Sequence, residues 1–226
     1  MGTKAIKNNW VYALLIFAII SAILALTTSE FIYKSGTAAV GIFIIFILNV
    51  QSAKPIKDTW FIIAAFFFSI VGDWFLTHMN GDSSMFTKGI ALFFLAHLGY
   101  LFYALFNGRI RWKFTLILLI AYLAFFYFIL YPTFSDTILM LASLTYLLVS
   151  CLSVGAAAGI KADPVVKWTF VFGIVLILFS DTIISLKEFL KYTSLDFLIL
   201  PTYYLAHISI TFSLIRKTEL HNKIDS

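Results

Sequence analysis

The chain has 226 residues, 62% of them hydrophobic and 12% charged, with a formal net charge of +5 and a mean hydropathy of +0.98. Soluble domains are roughly 45–50% apolar and about 25% charged, so this composition excludes a water-soluble globule. Without a polar domain to carry a basic face, the positive charge excludes a nucleic-acid partner as well.

The apolar runs are long and do not alternate, which excludes a barrel and leaves spanning helices of about 20 residues each. Eight runs follow in chain order: 10–27, 36–50, 60–77, 87–106, 114–131, 137–158, 165–186 and 195–215. The second is short and is expected to extend back to about Phe31. Brief connections carry turn residues, as at Gly81-Asp82, Gly108-Arg109, Tyr131-Pro132 and Asp163-Pro164. No loop is long enough for a soluble domain, so residues 1–226 are expected to form one all-α bundle, a multi-pass integral membrane protein surrounded by lipid. Lys4 and Lys7 precede the first run as in a signal peptide, but the run exceeds the roughly 7–15-residue core of such a segment and no clear cleavage site follows. It is read as the first spanning helix.

Orientation follows from Lys and Arg outside the runs. Lys4, Lys7, Lys54, Lys57, Arg109, Arg111, Lys113, Lys161, Lys167, Arg216, Lys217 and Lys223 fall on one side, twelve in all. Lys34, Lys88, Lys187 and Lys191 fall on the other. An even number of crossings then places both termini in the cytoplasm. Trp10, Trp60, Trp112 and Trp168 lie near run ends on that cytoplasmic side and are read as interfacial anchors. The 25 Phe residues are read as lipid-facing or packing groups. One cysteine, Cys151, precludes an internal disulfide or a cysteine metal cluster, and is read as a packing residue.

Ionisable groups inside the runs carry the functional information. Asp73 and Asp181 lie in the outer halves of the third and seventh runs, and His97 and His207 near the middles of the fourth and eighth. An Asp at a helix centre costs roughly 2.5–3.5 kcal/mol on insertion scales, so such groups face the bundle interior and mark function. Helical spacing aligns small and polar residues with them: Ser69, Asp73 and Thr77; Gly89, Phe93, His97, Tyr100 and Ala104; Gly173, Asp181 and Ser185; Tyr203, His207 and Thr211. Four such stripes imply a shared polar pocket.

An internal repeat points the same way. Residues 93–98 (FFLAHL) match 203–208 (YYLAHI), and Asp73 and Asp181 precede the two histidines by 24 and 26 positions. The third and fourth runs thus correspond to the seventh and eighth, a 4+4 parallel repeat with the two Asp facing each other at its interface.

These motifs resemble the YhhN-like family of multi-spanning membrane proteins, whose characterised members are lysoplasmalogenases. The resemblance covers nearly the whole chain and rests on Gly72-Asp73, then Gly89, Phe93, His97 and Tyr100, then Ser180-Asp181, and finally Tyr203-Tyr204 with His207. One departure from the family pattern stands at Lys34-Ser35, where members tend to have Lys-Pro; the position of His207 varies among members, some of which carry Gln. The resemblance implies hydrolysis of the sn-1 vinyl ether of a lysophospholipid, a lysoplasmalogen, to a fatty aldehyde and a glycerophospho-alcohol, with no required metal or other cofactor. Vinyl ethers hydrolyse through protonation of the alkene carbon and attack of water on an oxocarbenium-like species, which calls for a protonated carboxylic acid and a carboxylate side by side.

On that basis Asp73 and Asp181 are the expected catalytic pair, with acid and base unassigned. His97 is expected to position water, and Ser180, His207 and the hydroxyls of Tyr100 and Tyr203 to support the reacting groups. Lys34 or Lys88 at the outer rim would meet the lipid phosphate. Three alternatives stay open at this point: a zinc-dependent intramembrane hydrolase using both Asp and both His, a proton-coupled small-molecule transporter, and a structural membrane protein. Pro132, Pro164 and Pro201 are expected in loops or near helix ends, without the paired helix interruptions of broken-helix transporters. Headgroup, chain length and oligomeric state are left open, and a lateral opening for a lipid chain has no residue to locate it.

Overall fold

The computed structural model describes residues 9–28, 30–52 and 55–224. Among these residues nine α-helices follow one another: α1 Asn9–Thr28, α2 Phe31–Lys34, α3 Gly36–Gln51, α4 Thr59–Thr77, α5 Ser83–Phe106, α6 Trp112–Phe125, α7 Thr137–Ala157, α8 Pro164–Leu190 and α9 Asp196–Ile224. Seven spans are long and apolar enough to cross a membrane, one of them α6 prolonged to Thr133. The 16-residue α3 is shorter, but α2 precedes it through Ser35, whose backbone is α-helical. Ser35 N donates to Phe31 O and Ala39 N to Ser35 O, both at 2.9 Å. The segment 31–51 is therefore helical almost throughout and roughly 30 Å long at 1.5 Å per residue, as the expected backward extension requires. Among the described residues no strand occurs, only a single antiparallel bridge between Gly108 and Ile160.

Helix boundaries have local causes. Asp82, Asp136 and Asp163 each accept a backbone N–H two residues ahead, at 2.8, 2.8 and 2.9 Å, and so cap α5, α7 and α8. Pro164 occupies the first turn of α8, where its missing N–H costs nothing. Lys191 ends α8 in the left-handed conformation, φ 57°, and Tyr192 N returns to Leu186 O at 3.2 Å. After α6 the helix widens into a π turn over Phe126–Leu130 and tightens into a 3-10 turn over Tyr131–Thr133, where Pro132 stops it.

Two helix pairs dominate the packing, α4 with α5 and α8 with α9. They are the pairs that the 93–98 and 203–208 match relates. Each closes through a glycine: a side chain on Gly99 would meet Phe61 O at 2.6 Å, and one on Gly173 would meet Ala206 O at 2.9 Å. Outside this core, large apolar side chains point outward, such as Phe17 (60%), Ile117 (70%) and Phe128 (74% exposed). Only a lipid solvent makes such a surface favourable. Trp10, Trp60, Trp112 and Trp168 are all exposed, each in the first two turns of α1, α4, α6 or α8, at one end of the bundle.

Two expectations need correction. Helix α9 continues to Ile224, nine residues past the end of the expected run, so Arg216, Lys217 and Lys223 belong to a helix and not to a tail. Apolar patterning stops where the helix leaves the hydrocarbon, but good helix formers and an Arg216–Glu219 pair at 2.7 Å carry it on. Lys217 is partly buried there, bonded to Asp58 at 2.6 Å and to Asn107 at 2.8 Å. Pro201 lies in the second turn of α9, near its N-terminal end as expected. Helix α8 outlasts its apolar run by four residues and so includes Lys187. Of the residues in the charge count, Lys4, Lys7 and Lys54 lie outside the described residues.

Gly99→Val forces a methyl group against the Phe61 carbonyl. It is expected to destabilise the bundle by about 1–3 kcal/mol, read as a lower melting temperature in detergent; an unchanged melting curve would show that α4 and α5 have room to spare.

Candidate active site

The two intramembrane carboxyl groups line one cavity of about 170 Å³, toward the end of the bundle opposite the four tryptophans. Asp73 reaches it from α4 and Asp181 from α8. Each carboxyl group is held through one oxygen by a tyrosine of another helix. Tyr203 on α9 donates to Asp73 Oδ2 at 3.1 Å, and Tyr146 on α7 donates to Asp181 Oδ2 at 2.5 Å. A hydrogen bond to a buried carboxyl group fixes its orientation, which leaves each Oδ1 as the oxygen available to a reacting molecule.

His97 stands behind Asp181, its Nε2 3.7 Å from Oδ2. Its Nδ1 lies 3.2 Å from the Phe93 carbonyl, an acceptor only, so Nδ1 carries the hydrogen and Nε2 is the lone-pair nitrogen turned toward the carboxyl. Ser153 on α7 donates to His97 O at 3.0 Å and ties α5 to α7 at this level. Tyr100 packs edge-on against the His97 ring, centroids 5.8 Å apart, and is buried beneath the site. Ser180 is fully buried; its hydroxyl donates to Ile199 O at 3.0 Å, which locks α8 to α9 beside Asp181.

His207 is placed differently from its counterpart. Its Nδ1 pairs with Thr37 Oγ1 on α3 at 3.1 Å, and its ring packs 4.4 Å from Tyr203 and 4.8 Å from Phe66. It buttresses Tyr203 and does not border the cavity. The four groups considered for zinc are thus divided, His97 beside Asp181 and His207 beside Thr37, and among the described residues no three His, Cys, Asp or Glu side chains gather in a metal-holding group.

The charged mouth of the cavity is formed by Lys34 from α2 with Lys187 and Glu188 from α8. Lys88, the alternative to Lys34, points elsewhere, 6.0 Å from the Phe75 ring. Lys187 also pairs with Asp196 at 3.3 Å, but both are solvated enough for that pair to contribute little.

Tyr146, Lys187 and Glu188 were not legible as site residues. Tyr146 belongs to a polar stripe on α7 with Ser143, Ser150 and Ser153, at helical spacing. Because the run has no ionisable group, that stripe does not announce itself. Lys187 and Glu188 fall just beyond the apolar run and read as loop; four more residues of helix turn them toward the cavity.

A second opening, of about 60 Å³, adjoins the first between α5, α7 and α8. Asp181 borders both, whereas Asp73 borders only the polar cavity. Two carboxyl groups with one free oxygen each, a charged mouth and an adjoining apolar slot suit proton transfer on an amphiphile whose bond to be broken lies between head and chain.

Compared with protein-family models, residues 33–214 match the YhhN family. Comparisons with curated proteins and with solved structures gave no match.

Thr37→Val removes the one hydrogen bond of the buried His207 ring. It is expected to cost about 1–3 kcal/mol, measured as a fall in melting temperature. Full stability in that variant would mean that the ring finds another partner.

Proposed function

The chain belongs to the YhhN family, and we propose on that premise that it is a membrane lysoplasmalogenase, hydrolysing the sn-1 vinyl ether of a lysoplasmalogen to a fatty aldehyde and a glycerophospho-alcohol. The observation that supports this most is the pair of tyrosine-held carboxyl groups on one cavity, with an apolar slot meeting the cavity at Asp181.

The chemistry is general acid–base catalysis. One carboxyl group gives its proton to the alkene carbon, and the π electrons of the double bond form the new C–H bond. Water adds to the resulting oxocarbenium carbon while the other carboxylate takes its proton. The hemiacetal so formed breaks its bond to the glycerol oxygen, which receives a proton from the second carboxyl group. The hemiacetal hydroxyl returns a proton to the first. Aldehyde and alcohol leave, one water is consumed, and both carboxyl groups end as they began. His97 Nε2 lies 3.7 Å from Asp181 Oδ2, behind the cavity wall, and supports that carboxyl group. Lys34 and Lys187 at the mouth offer cations to the lipid phosphate.

Purified protein incubated with a lysoplasmenyl-ethanolamine should release free fatty aldehyde. Asp73→Asn and Asp181→Asn should each lower turnover by about 10²–10⁴-fold while keeping the wild-type melting temperature. Substantial turnover in either variant would refute the pair. Chelator treatment should leave the wild type active; a loss that added zinc restores would move the reading to a metal hydrolase. Release of no aldehyde, together with uptake of a small molecule into proteoliposomes, would move it to a transporter.

A further inference from the structure

The slot beside the cavity differs from it in chemistry. Lys34, Lys187 and Glu188 all border the cavity, and no charged residue except Asp181 borders the slot. The slot walls are Ile90 and Phe93 on α5, Ser143 on α7, and Ile184 and Phe189 on α8. Phe189 closes it in an aromatic group, with its ring 5.8 Å from Phe86 and 4.5 Å from Phe134.

We propose that this slot seats the hydrocarbon chain next to the reacting double bond, and that the orientation so imposed makes Asp181 the proton donor and Asp73 the group that takes the proton from water. This rests on the vinyl ether reading above and adds to it a binding mode and an assignment of roles.

A vinyl ether has two inequivalent alkene carbons. The proton goes to the carbon attached to the alkyl chain, because the cation is then stabilised by the ether oxygen on the other carbon. Water attacks that second carbon, on the headgroup side. The acid must therefore stand on the chain side and the base on the head side. Asp181 is the only one of the two that touches the slot, and Asp73 shares its surroundings with the charged mouth, from which water arrives. Tyr146 acts as a positioning residue. It comes from the slot wall, binds Asp181 Oδ2, and leaves Oδ1 to deliver the proton. The proton lost by Asp181 is returned by the hemiacetal hydroxyl, and the proton gained by Asp73 leaves on the glycerol oxygen, so both groups are regenerated.

Burying a methylene is worth roughly fourfold in binding, so filling the slot should penalise long chains selectively. With a long-chain lysoplasmenyl-ethanolamine and its propenyl analogue as substrates, Ile90→Trp should lower the long-to-short ratio of kcat/KM at least tenfold. Ser143→Leu narrows the same slot from α7 and should act in the same direction should Ile90→Trp fail to fold. An unchanged ratio in a folded variant overturns the chain seat. For the assignment, Asp73→Gly should recover at least tenfold in rate with added azide, which attacks the oxocarbenium carbon without a base. Asp181→Gly should not recover, because protonation itself is lost. Recovery of Asp181→Gly, or of neither variant, overturns the assignment. Tyr146→Phe should lower kcat at least tenfold with KM changed less than twofold; an effect on KM alone overturns its positioning role. A lysolipid with a diazirine in its chain separates these failures from failure of the reaction itself. Labelling of α5, α7 and α8 at the slot without aldehyde release would leave the seat standing and the hydrolase reading lost. Labelling confined to the lipid-facing surfaces of α1 and α6 would overturn the seat whether or not aldehyde forms.

Discussion

A carboxyl group at membrane depth has few places to go. Lipid offers it no hydrogen bond, and its own helix has already spent its backbone donors. Here each of the two solves the problem in one way, by accepting a phenol from a helix outside its own hairpin: Tyr203 of α9 for Asp73 of α4, and Tyr146 of α7 for Asp181 of α8. These bonds cross the boundaries between helix pairs. Each pair is already closed by a glycine contact, so Tyr203 sets how one pair sits against the other and Tyr146 how α8 sits against α7, and together they shape the cavity.

The repeat describes this arrangement only in part. Phe93 and Tyr203 occupy matching positions in the six-residue match, and their rings meet edge-on at 6.3 Å, as residues near a pseudo-axis would. The matching histidines, His97 and His207, have parted company. One faces a carboxyl group and the other a threonine. Tyr203 carries a hydroxyl that Phe93 lacks, so Asp73 is held from the matching position while Asp181 is held by Tyr146, which has no part in the match. A common frame has thus taken two different polar linings, as the proposed acid and base roles would demand of two otherwise identical side chains.

The membrane class, the pairing of Asp73 with Asp181 in one pocket and the placement of His97 and Tyr203 beside them were legible because each depends on a costly feature, an ionisable or polar group in an apolar run, that spacing alone places on a helix face. Tyr146 was not legible, since a lone phenol in a run of Leu and Ser has many uses and only the docking of α7 against α8 selects one. His207 was read as a pocket residue on the strength of its spacing; periodicity reports which side of a helix is inward, and not which neighbour lies there. The ends of α8 and α9 were drawn where hydrophobicity stops, but backbone hydrogen bonding persists beyond the hydrocarbon, and that extra length brings Lys187 and Glu188 to the site and Lys217 to Asp58.

This last contact has a wider consequence. At the end of the bundle opposite the cavity, Lys217, Asp58 and Asn107 knot α9, α4 and α5 together, with the ammonium 4.8 Å from the Tyr103 ring centroid. That tie holds α4, α5 and α9 together at one end, as the two tyrosine bonds hold the helices at the other. With the charge-derived orientation, the lysine-tied end faces the cytoplasm and the cavity end faces outward. On the proposed reading, lysolipids resident in the outer leaflet would then meet the site directly, and those released in the inner leaflet would have to cross the bilayer first.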